Sequence, residues 1–304
     1  MEIPNEILIE ILEYFSVKEL IKLELVNKQF LTIIRKNKWP KLIVNTYKTD
    51  FIILKKFIIN HSFINYNLSG SNITDQDLQF LQNCNKIDLS RCKITDQGLQ
   101  FLTACQKINL SSCKITNKGL QYLTNCKSLK LSCCSITDQG LQFCKNCNKI
   151  DLSGCKITDK GLQFLTACQK IDLYNCNITD QGLQFLTACQ KINLSRCKIT
   201  DQGLQFLTNC KSLDLSYSNI TDQGLRFLQN CNKINLSCCD ITDQGLRFLQ
   251  NCNKIDLSDC NITDQGLQFL LEFNKNLQFL KLYACNISKT MINKLKNKGI
   301  KIEN

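Results

Sequence analysis

Cysteine is the residue in this 304-residue chain most able to do chemistry: there are 21, against a single histidine, His61. Thiolates bind metals, exchange with disulfides or attack electrophiles, and each use leaves its own spacing. A zinc site needs four converging ligands, usually from two C-x-x-C or His/Cys pairs. One such half exists, "CKNC" at 144–147, with the doublets Cys133-Cys134 and Cys238-Cys239 beside it in interest. With one histidine, no Ser-His-Asp or Cys-His set assembles, and no glycine loop of phosphate-cradling form occurs. The sequence therefore predicts no catalytic residue, no metal and no cofactor.

Position explains the cysteines better than reactivity does. One column runs through 84, 105, 126, 147, 168, 189, 210, 231 and 252, and a second through 92, 113, 134, 155, 176, 197, 239, 260 and 285. Ser218 replaces the thiol once in the second column. A free cysteine is a small, often buried side chain with a weak donor, suited to a tight interior turn. Cys133, Cys144 and Cys238 fall outside both columns and are the candidates for a reactive thiol. The odd total excludes complete internal pairing, and a reducing compartment is expected.

The columns exist because the chain repeats itself. "ITDQGLQFLTACQKINLS" at 94–111 recurs unchanged at 178–195, and between 92 and 260 the period is 21 residues. In "KIDLS" (86–90) Ile87 and Leu89 alternate with Lys86, Asp88 and Ser90, the period of a strand with one face inward. The rule then changes: Thr95 or Asp96 is placed to cap a helix start, and Leu99 and Leu102 fall at helical spacing. Gly98, Gly119, Gly140 and their equivalents read as points of close approach between neighbouring helices. One strand-turn-helix unit buries too little to fold alone, so neighbours must stack. Strands stack at ~4.8 Å and helices at ~8–10 Å, which bends the stack with its strands on the concave side.

These units resemble the cysteine-containing leucine-rich repeat, whose pattern is C-x-x-L-x-L-x-x-C-x-x-I-T-D-x-G-L-x-x-L. The resemblance covers residues 63–287, about 11 units. It implies an α/β horseshoe solenoid with a parallel sheet on the concave face. Because the units are short for that family, their helices are expected to be brief or partly 3₁₀.

Residues 3–39, "IPNEILIEILEYFSVKELIKLELVNKQFLTIIRKNKW", follow another rule. Pro4 suits a first helical turn, and Ile7, Leu8, Ile11, Leu12 and Phe15 share a helical face. Ser16 and Glu19 form a capping-box pattern before Leu20 and Leu23. A third helix carries Val26, Phe30, Ile33 and Ile34 and closes at Trp39. The segment resembles an F-box, through Ile3-Pro4, Glu6, Ile7, Leu8, Ile11, Leu20, Val26, Lys28, Phe30 and Trp39. It departs from that pattern with Ile3 in place of leucine and Phe30 in place of the commoner tryptophan. Simple capping of the solenoid's open end is the other reading of these helices. The expected division is an all-α F-box at 1–44, an ordered linker at 45–62 with His61 a surface or linker side chain, repeats at 63–287 and a cap at 288–304.

The resemblance implies a partner and a role. An F-box binds a Skp-type adaptor, and through it a cullin-RING ubiquitin ligase, while the repeats hold a protein substrate. Ile3, Pro4, Ile7, Leu8, Ile11, Leu20, Val26, Phe30 and Trp39 would then be the adaptor-binding residues. For the substrate, the variable outward positions are the informative ones: Tyr174 breaks a row of serines, and the next position reads Asn175, Arg196 and Tyr217 in consecutive units. Tyrosine and arginine concentrate binding energy at interfaces. The remaining outward rows, lysine against Asp/Asn, are read as roughly cancelling. Two alternatives stay open: a decoy that sequesters the adaptor, and a free-standing repeat inhibitor.

The net charge of +12 is spread thinly apart from a basic tail, "KLKNKGIKIEN", which reads as a solvated terminal cap. No nucleic-acid partner is expected. The acidic N-terminus carries no signal-peptide pattern and no apolar run approaches the ~18 residues of a membrane span, so an intracellular, soluble protein is expected.

Overall fold

The computed structural model describes residues 4–12, 14–24, 28–37, 39, 42–45, 55 and 58–304. The chain divides into two compact units, Met1–Cys134 and Ser135–Asn304.

In the first unit the sequence's helical stripes become α1 (Asn5–Leu12), α2 (Val17–Leu23) and α3 (Lys28–Lys36). Ser16 and Glu19 form the expected capping box, with the Ser16 amide 2.7 Å from Glu19 Oε2. Those amide and hydroxyl donors hold the Glu19 carboxyl below its ordinary range. Five parallel strands follow: β1 (Val44–Asn45), β2 (Asn65–Asn67), β3 (Lys86–Asp88), β4 (Lys107–Asn109) and β5 (Ser128–Lys130). From β2 on, each strand pairs with the next one repeat away, as Ile87 does with Ile108.

The second unit continues the same rule with β6 (Lys149–Asp151), β7 (Lys170–Asp172), β8 (Lys191–Asn193), β9 (Ser212–Asp214), β10 (Lys233–Asn235), β11 (Lys254–Asp256), β12 (Phe279–Lys281) and β13 (Lys301–Glu303). All pair in parallel register. Return segments are short, as the unit length predicts: mostly 3₁₀ turns such as Asp180–Leu186, with single-turn α-helices at Asn117–Leu120 and Asp159–Leu162. Only the last two, Asp264–Phe273 and Lys289–Asn297, run to full helices.

The "ITDQG" phrase has a division of labour that its letters left open. Threonine is the cap: Thr179 Oγ1 accepts the Gln181 amide at 3.4 Å. Aspartate reaches sideways instead. Asp96 Oδ1 accepts the Thr116 amide at 2.8 Å and Oδ2 the Thr116 hydroxyl at 2.5 Å, one repeat on. The same rung recurs from Asp159 to Thr179, Asp180 to Thr200 and onward to Asp264 and Ser288. Glycine makes room for it: a Cβ on Gly119 would lie 2.5 Å from Asp96 Oδ1 and 2.9 Å from Leu99 Cδ1. The motif is a lateral bolt between repeats.

Beneath the bolts lie the buried columns, including Ile87, Leu89, Ile94, Leu99 and Leu102 in one repeat. The second cysteine column seals the turn after each strand, with Cys113 Sγ donating to Leu89 O at 3.0 Å and Cys197 Sγ to Leu173 O at 3.2 Å.

The three N-terminal helices meet the first repeats through a buried joint. Trp39 is enclosed, its Nε1 donating to Ile34 O at 3.0 Å, and its ring lies 6.5 Å from that of Phe63. His61 stacks on Phe63 at 5.7 Å and brings Nε2 within 2.6 Å of Glu24 Oε1. Their side chains are only 5% and 7% exposed. His61 is thus no surface side chain: Glu24, at the end of α2, gives it a buried polar partner that helical periodicity could not reveal. Most of the expected 45–62 linker, residues 46–54 and 56–57, lies outside the described residues.

Candidate interaction surfaces

The residues expected to meet an adaptor separate by burial. On α1 the single apolar face read from the sequence is two stripes. Leu8 and Leu12 point into the helical core, whereas Ile7 and Ile11 are 50% and 46% exposed. Pro4 is exposed and Phe30 half-buried. Leu8, Leu20 and Trp39 are buried. Ile3 and Val26 lie outside the described residues. Two further apolar side chains of this segment are exposed, Tyr14 at 90% and Ile21 at 38%. The signal for Tyr14 was present, since Ile7, Ile11 and Tyr14 fall at the i, i+4, i+7 spacing of one helical stripe.

On the strand face of the second unit, outward side chains form four rows. The first is lysine: Lys149, Lys170, Lys191, Lys233 and Lys254, interrupted by Ser212. The second is Asp/Asn, and its oxygens are engaged. Asp214 Oδ1 accepts the amide and hydroxyl of Ser216, and Oδ2 the Asn235 amide group at 3.1 Å. Asp172 accepts from the Tyr174 amide at 3.0 Å and from Asn193 at 3.2 Å. Burial, aided by Asp151 and Asp214, raises its carboxyl above the ordinary range despite those bonds.

The third row is serine, broken by Tyr174, 39% exposed, and by Tyr283, 64% exposed. The same exception rule that picked Tyr174 would have found Tyr283. The fourth row sits in left-handed backbone: Asn175, Arg196, Tyr217, Cys238 and Asp259 have φ of 56°, 59°, 59°, 57° and 55°. Glycine fills the equivalent place at Gly154. Backbone hydrogen bonds stack the row into a ladder: the Arg196 amide donates to Ser216 O at 3.0 Å and the Tyr217 amide to Ser237 O at 3.0 Å.

The structure therefore brings Asn175, Arg196 and Tyr217 into one row and Tyr174 into the row beside it. The Arg196 guanidinium lies 4.5 Å from the Tyr217 ring centre. Sequence reasoning stopped one residue early, because the row continues through Cys238, whose Sγ is 3.7 Å from Asp259 Oδ2. The hydrogen bond with Cys238 raises the Tyr217 hydroxyl above its ordinary range.

Burial decides the fate of most thiols. It pushes Cys113, Cys176 and Cys210 up to about 12. Such groups stay protonated and inert at neutral pH. Cys144, a candidate for reactivity by sequence, is 2% exposed and occupies the column of Leu102, Leu123 and Leu165; it fills core volume where leucine normally does. Cys133 is exposed and Cys238 half-buried. Among the described residues no three His, Cys, Asp or Glu side chains converge to hold a metal, and no helix is long and apolar enough to cross a membrane.

Comparison with known proteins agrees with this geometry. Residues 1–41 match the F-box domain family. Residues 85–102, 106–123, 124–143, 148–165, 190–207, 208–228, 232–249 and 253–271 match the Leucine Rich repeat family. F-box domains generally bind a Skp-type adaptor and leucine-rich repeats bind protein partners; both are typically non-catalytic interaction modules. No curated protein matches the chain at a significant level. Among solved structures, an internalin (inlF) of Listeria monocytogenes is 20% identical, with TM-score 0.65 and 94% of each chain covered. The mouse RP105/MD-1 complex gives 17% identity and TM-score 0.61 over 81% of this chain and 47% of that one. A TLR13–ssRNA13 complex gives 17% and 0.58 over 81% and 40%. These likenesses establish the fold alone.

Proposed function

The chain belongs to the proteins that join an F-box domain to leucine-rich repeats, and we propose on that premise that it is the substrate-recognition subunit of a Skp–cullin–F-box ubiquitin ligase. The observation that carries the reading is the pairing of an F-box with an array whose outward rows are mostly polar and most of whose thiols are buried. Such a subunit catalyses nothing itself. It raises the effective concentration of a substrate lysine beside a ubiquitin-charged enzyme.

In this reading the outward stripe of Ile7, Ile11 and Tyr14, with Pro4 and Phe30 at its margin, docks on the adaptor. Leu8, Leu20 and Trp39 hold that stripe in place. The F-box spans 1–44, the repeats 63–287 and the cap 288–304, with 45–62 as connection. The joint of Trp39, Phe63, His61 and Glu24 fixes the helices to the first repeats, and proximity catalysis needs such stiffness. Tyr174, Asn175, Arg196 and Tyr217, extended by Tyr283, form the patch that selects a substrate. The compartment is intracellular, where adaptor and ligase reside.

One observation favours a second reading, a decoy that occupies the adaptor and delivers nothing. Much of the outward surface repeats the same side chains, which leaves little distinctive area for one substrate. Reconstitution with adaptor, cullin-RING and ubiquitin enzymes separates the two. A receptor promotes ubiquitin transfer to a protein it captures, and that transfer falls with Arg196→Ala/Tyr217→Ala. A decoy forms the complex, supports no transfer, and lowers transfer by a competing F-box protein in proportion to its concentration.

A further inference from the structure

The strand face of the second unit contains a cavity of ≈ 400 Å³ bordered by Lys191, Ser212, Asp214, Lys233, Lys254 and Phe279. Its origin is one substitution in the repeat. Where the neighbouring strands carry lysine, β9 carries Ser212, and the short side chain leaves a gap between two ammonium groups. Lys191 and Lys233 stand two strand spacings apart, ~10 Å. At the far end Phe279 takes the lysine position of β12, with Lys254 Nζ 4.4 Å and Lys301 Nζ 5.9 Å from its ring centre.

By formal count the lining is balanced, three lysines against Asp172, Asp214 and Asp256. By hydrogen-bonding capacity it is not. Each aspartate already accepts from its own turn and from the next strand, as Asp214 does from Ser216 and Asn235 and Asp256 from Ser258, with Lys281 at 3.6 Å. The ammonium groups of Lys170, Lys191 and Lys233 have no such partner among the described residues and stand in solvent. The face therefore offers donors whose acceptors must come from outside, in a row ending at an aromatic ring. Rows of lysine and aspartate that cancel on paper do not cancel in what they can still bind.

We propose that this row is the docking site for an extended acidic segment of a protein partner, with a carboxylate seated over Ser212 between Lys191 and Lys233 and an apolar or aromatic side chain against Phe279. The inference rests on the substrate-receptor reading and names the chemistry of that substrate. The dimensions agree. From Lys170 to Lys254 is four strand spacings, ~19 Å, about six residues of extended chain, and alternate side chains on such a chain are ~6.8 Å apart. Exposed ion pairs are individually weak, about 1.4- to 5-fold in affinity each, so the site depends on several acting together with the Phe279 contact.

The test uses the full-length protein and a fluorescein-labelled peptide of about eight residues alternating glutamate with threonine and ending in phenylalanine. Controls are the same peptide with glutamine for glutamate, and a single-stranded oligothymidine of equal charge. The acidic peptide should bind at least tenfold more tightly than the glutamine peptide and than the oligothymidine. Binding should weaken steeply as salt shortens the screening length from ~10 Å at 0.1 M toward ~3 Å at 1 M. Lys191→Glu/Lys233→Glu should lose at least tenfold, and Ser212→Lys, which fills the cavity while adding charge, should lose rather than gain. Lys160→Glu, the same reversal on the helical side, should change affinity less than twofold. Equal binding of acidic and glutamine peptides, preference for the oligothymidine, or tighter binding by Ser212→Lys would overturn the proposal. Adaptor binding is measured on the same samples. If it persists while peptide binding fails, the substrate chemistry is wrong and the receptor reading stands; if it is absent, the receptor reading falls on its own.

Discussion

Removing one aspartate bolt should loosen the array locally, and by an amount the structure sets. Asp180 Oδ1 accepts the Thr200 amide at 2.8 Å and Oδ2 the Thr200 hydroxyl at 2.5 Å. A hydrogen bond to a charged group contributes ~1.5–3 kcal/mol. Both residues are half-exposed, so water recovers part of this in the variant, and about 2–3 kcal/mol is expected for Asp180→Ala. That corresponds to roughly 30- to 150-fold in a local opening equilibrium. Because repeats touch only their neighbours, the loss should stay local, and global unfolding is a poor readout for an array. Hydrogen–deuterium exchange at the Thr200 amide is the better assay. Thr200→Val keeps the amide bond and loses the hydroxyl bond, so a double-mutant cycle with Asp180→Ala should show coupling of about 1 kcal/mol. Thr200 exchange that changes less than threefold in Asp180→Ala would refute the assignment of this residue as a bolt and leave it an ordinary first-turn acid.

Tyr217 sits at φ 59°, where a bulky side chain is strained, so Tyr217→Asn should raise local stability by about 0.5–1 kcal/mol while weakening any partner held at that patch; exchange protection and pull-down read the two effects. Glu24→Ala should remove the buried hydrogen bond between Glu24 and His61 and cost about 1–3 kcal/mol, visible as lost protection where α2 meets the first repeats. The thiols predict alkaline sensitivity. Burial raises Cys113, Cys176, Cys210 and Cys260 to about 12, against ~8.5 in an unfolded chain. Unfolding therefore releases protons at high pH, so the stabilisation is complete below about pH 8.5 and is lost as pH rises from there toward 12. Stability that stayed flat from pH 8 to 10.5 in chemical denaturation would contradict this.

Much of the architecture was legible because a 21-residue period forces equivalent residues into equivalent environments. The strand centres Ile87, Ile108 and Leu129 are all buried, as alternation required, and the cysteine columns lie where a small donor fits. What stayed hidden are contacts between units and between elements far apart in sequence. Asp96 could cap its own helix or reach Thr116 of the next repeat, and periodicity is silent on that choice. His61 and Glu24 are 37 residues apart and belong to no repeat. On α1 the letters gave one apolar face, whereas only burial in the folded chain tells Ile7 and Ile11 from Leu8 and Leu12. The lysine and aspartate rows were read by charge, and the distinction between them is hydrogen-bond saturation, which only the folded chain displays.

The central claim is tested most directly by titrating the purified full-length protein with a Skp-type adaptor in a calorimeter, wild type beside Ile7→Asp/Ile11→Asp. An F-box subunit should bind one adaptor per chain, and charges placed in two exposed hot-spot positions should weaken that binding by at least about 100-fold. Absence of adaptor binding in the wild type, or equal binding by the double variant, would contradict the account and reduce α1–α3 to a cap on the repeats.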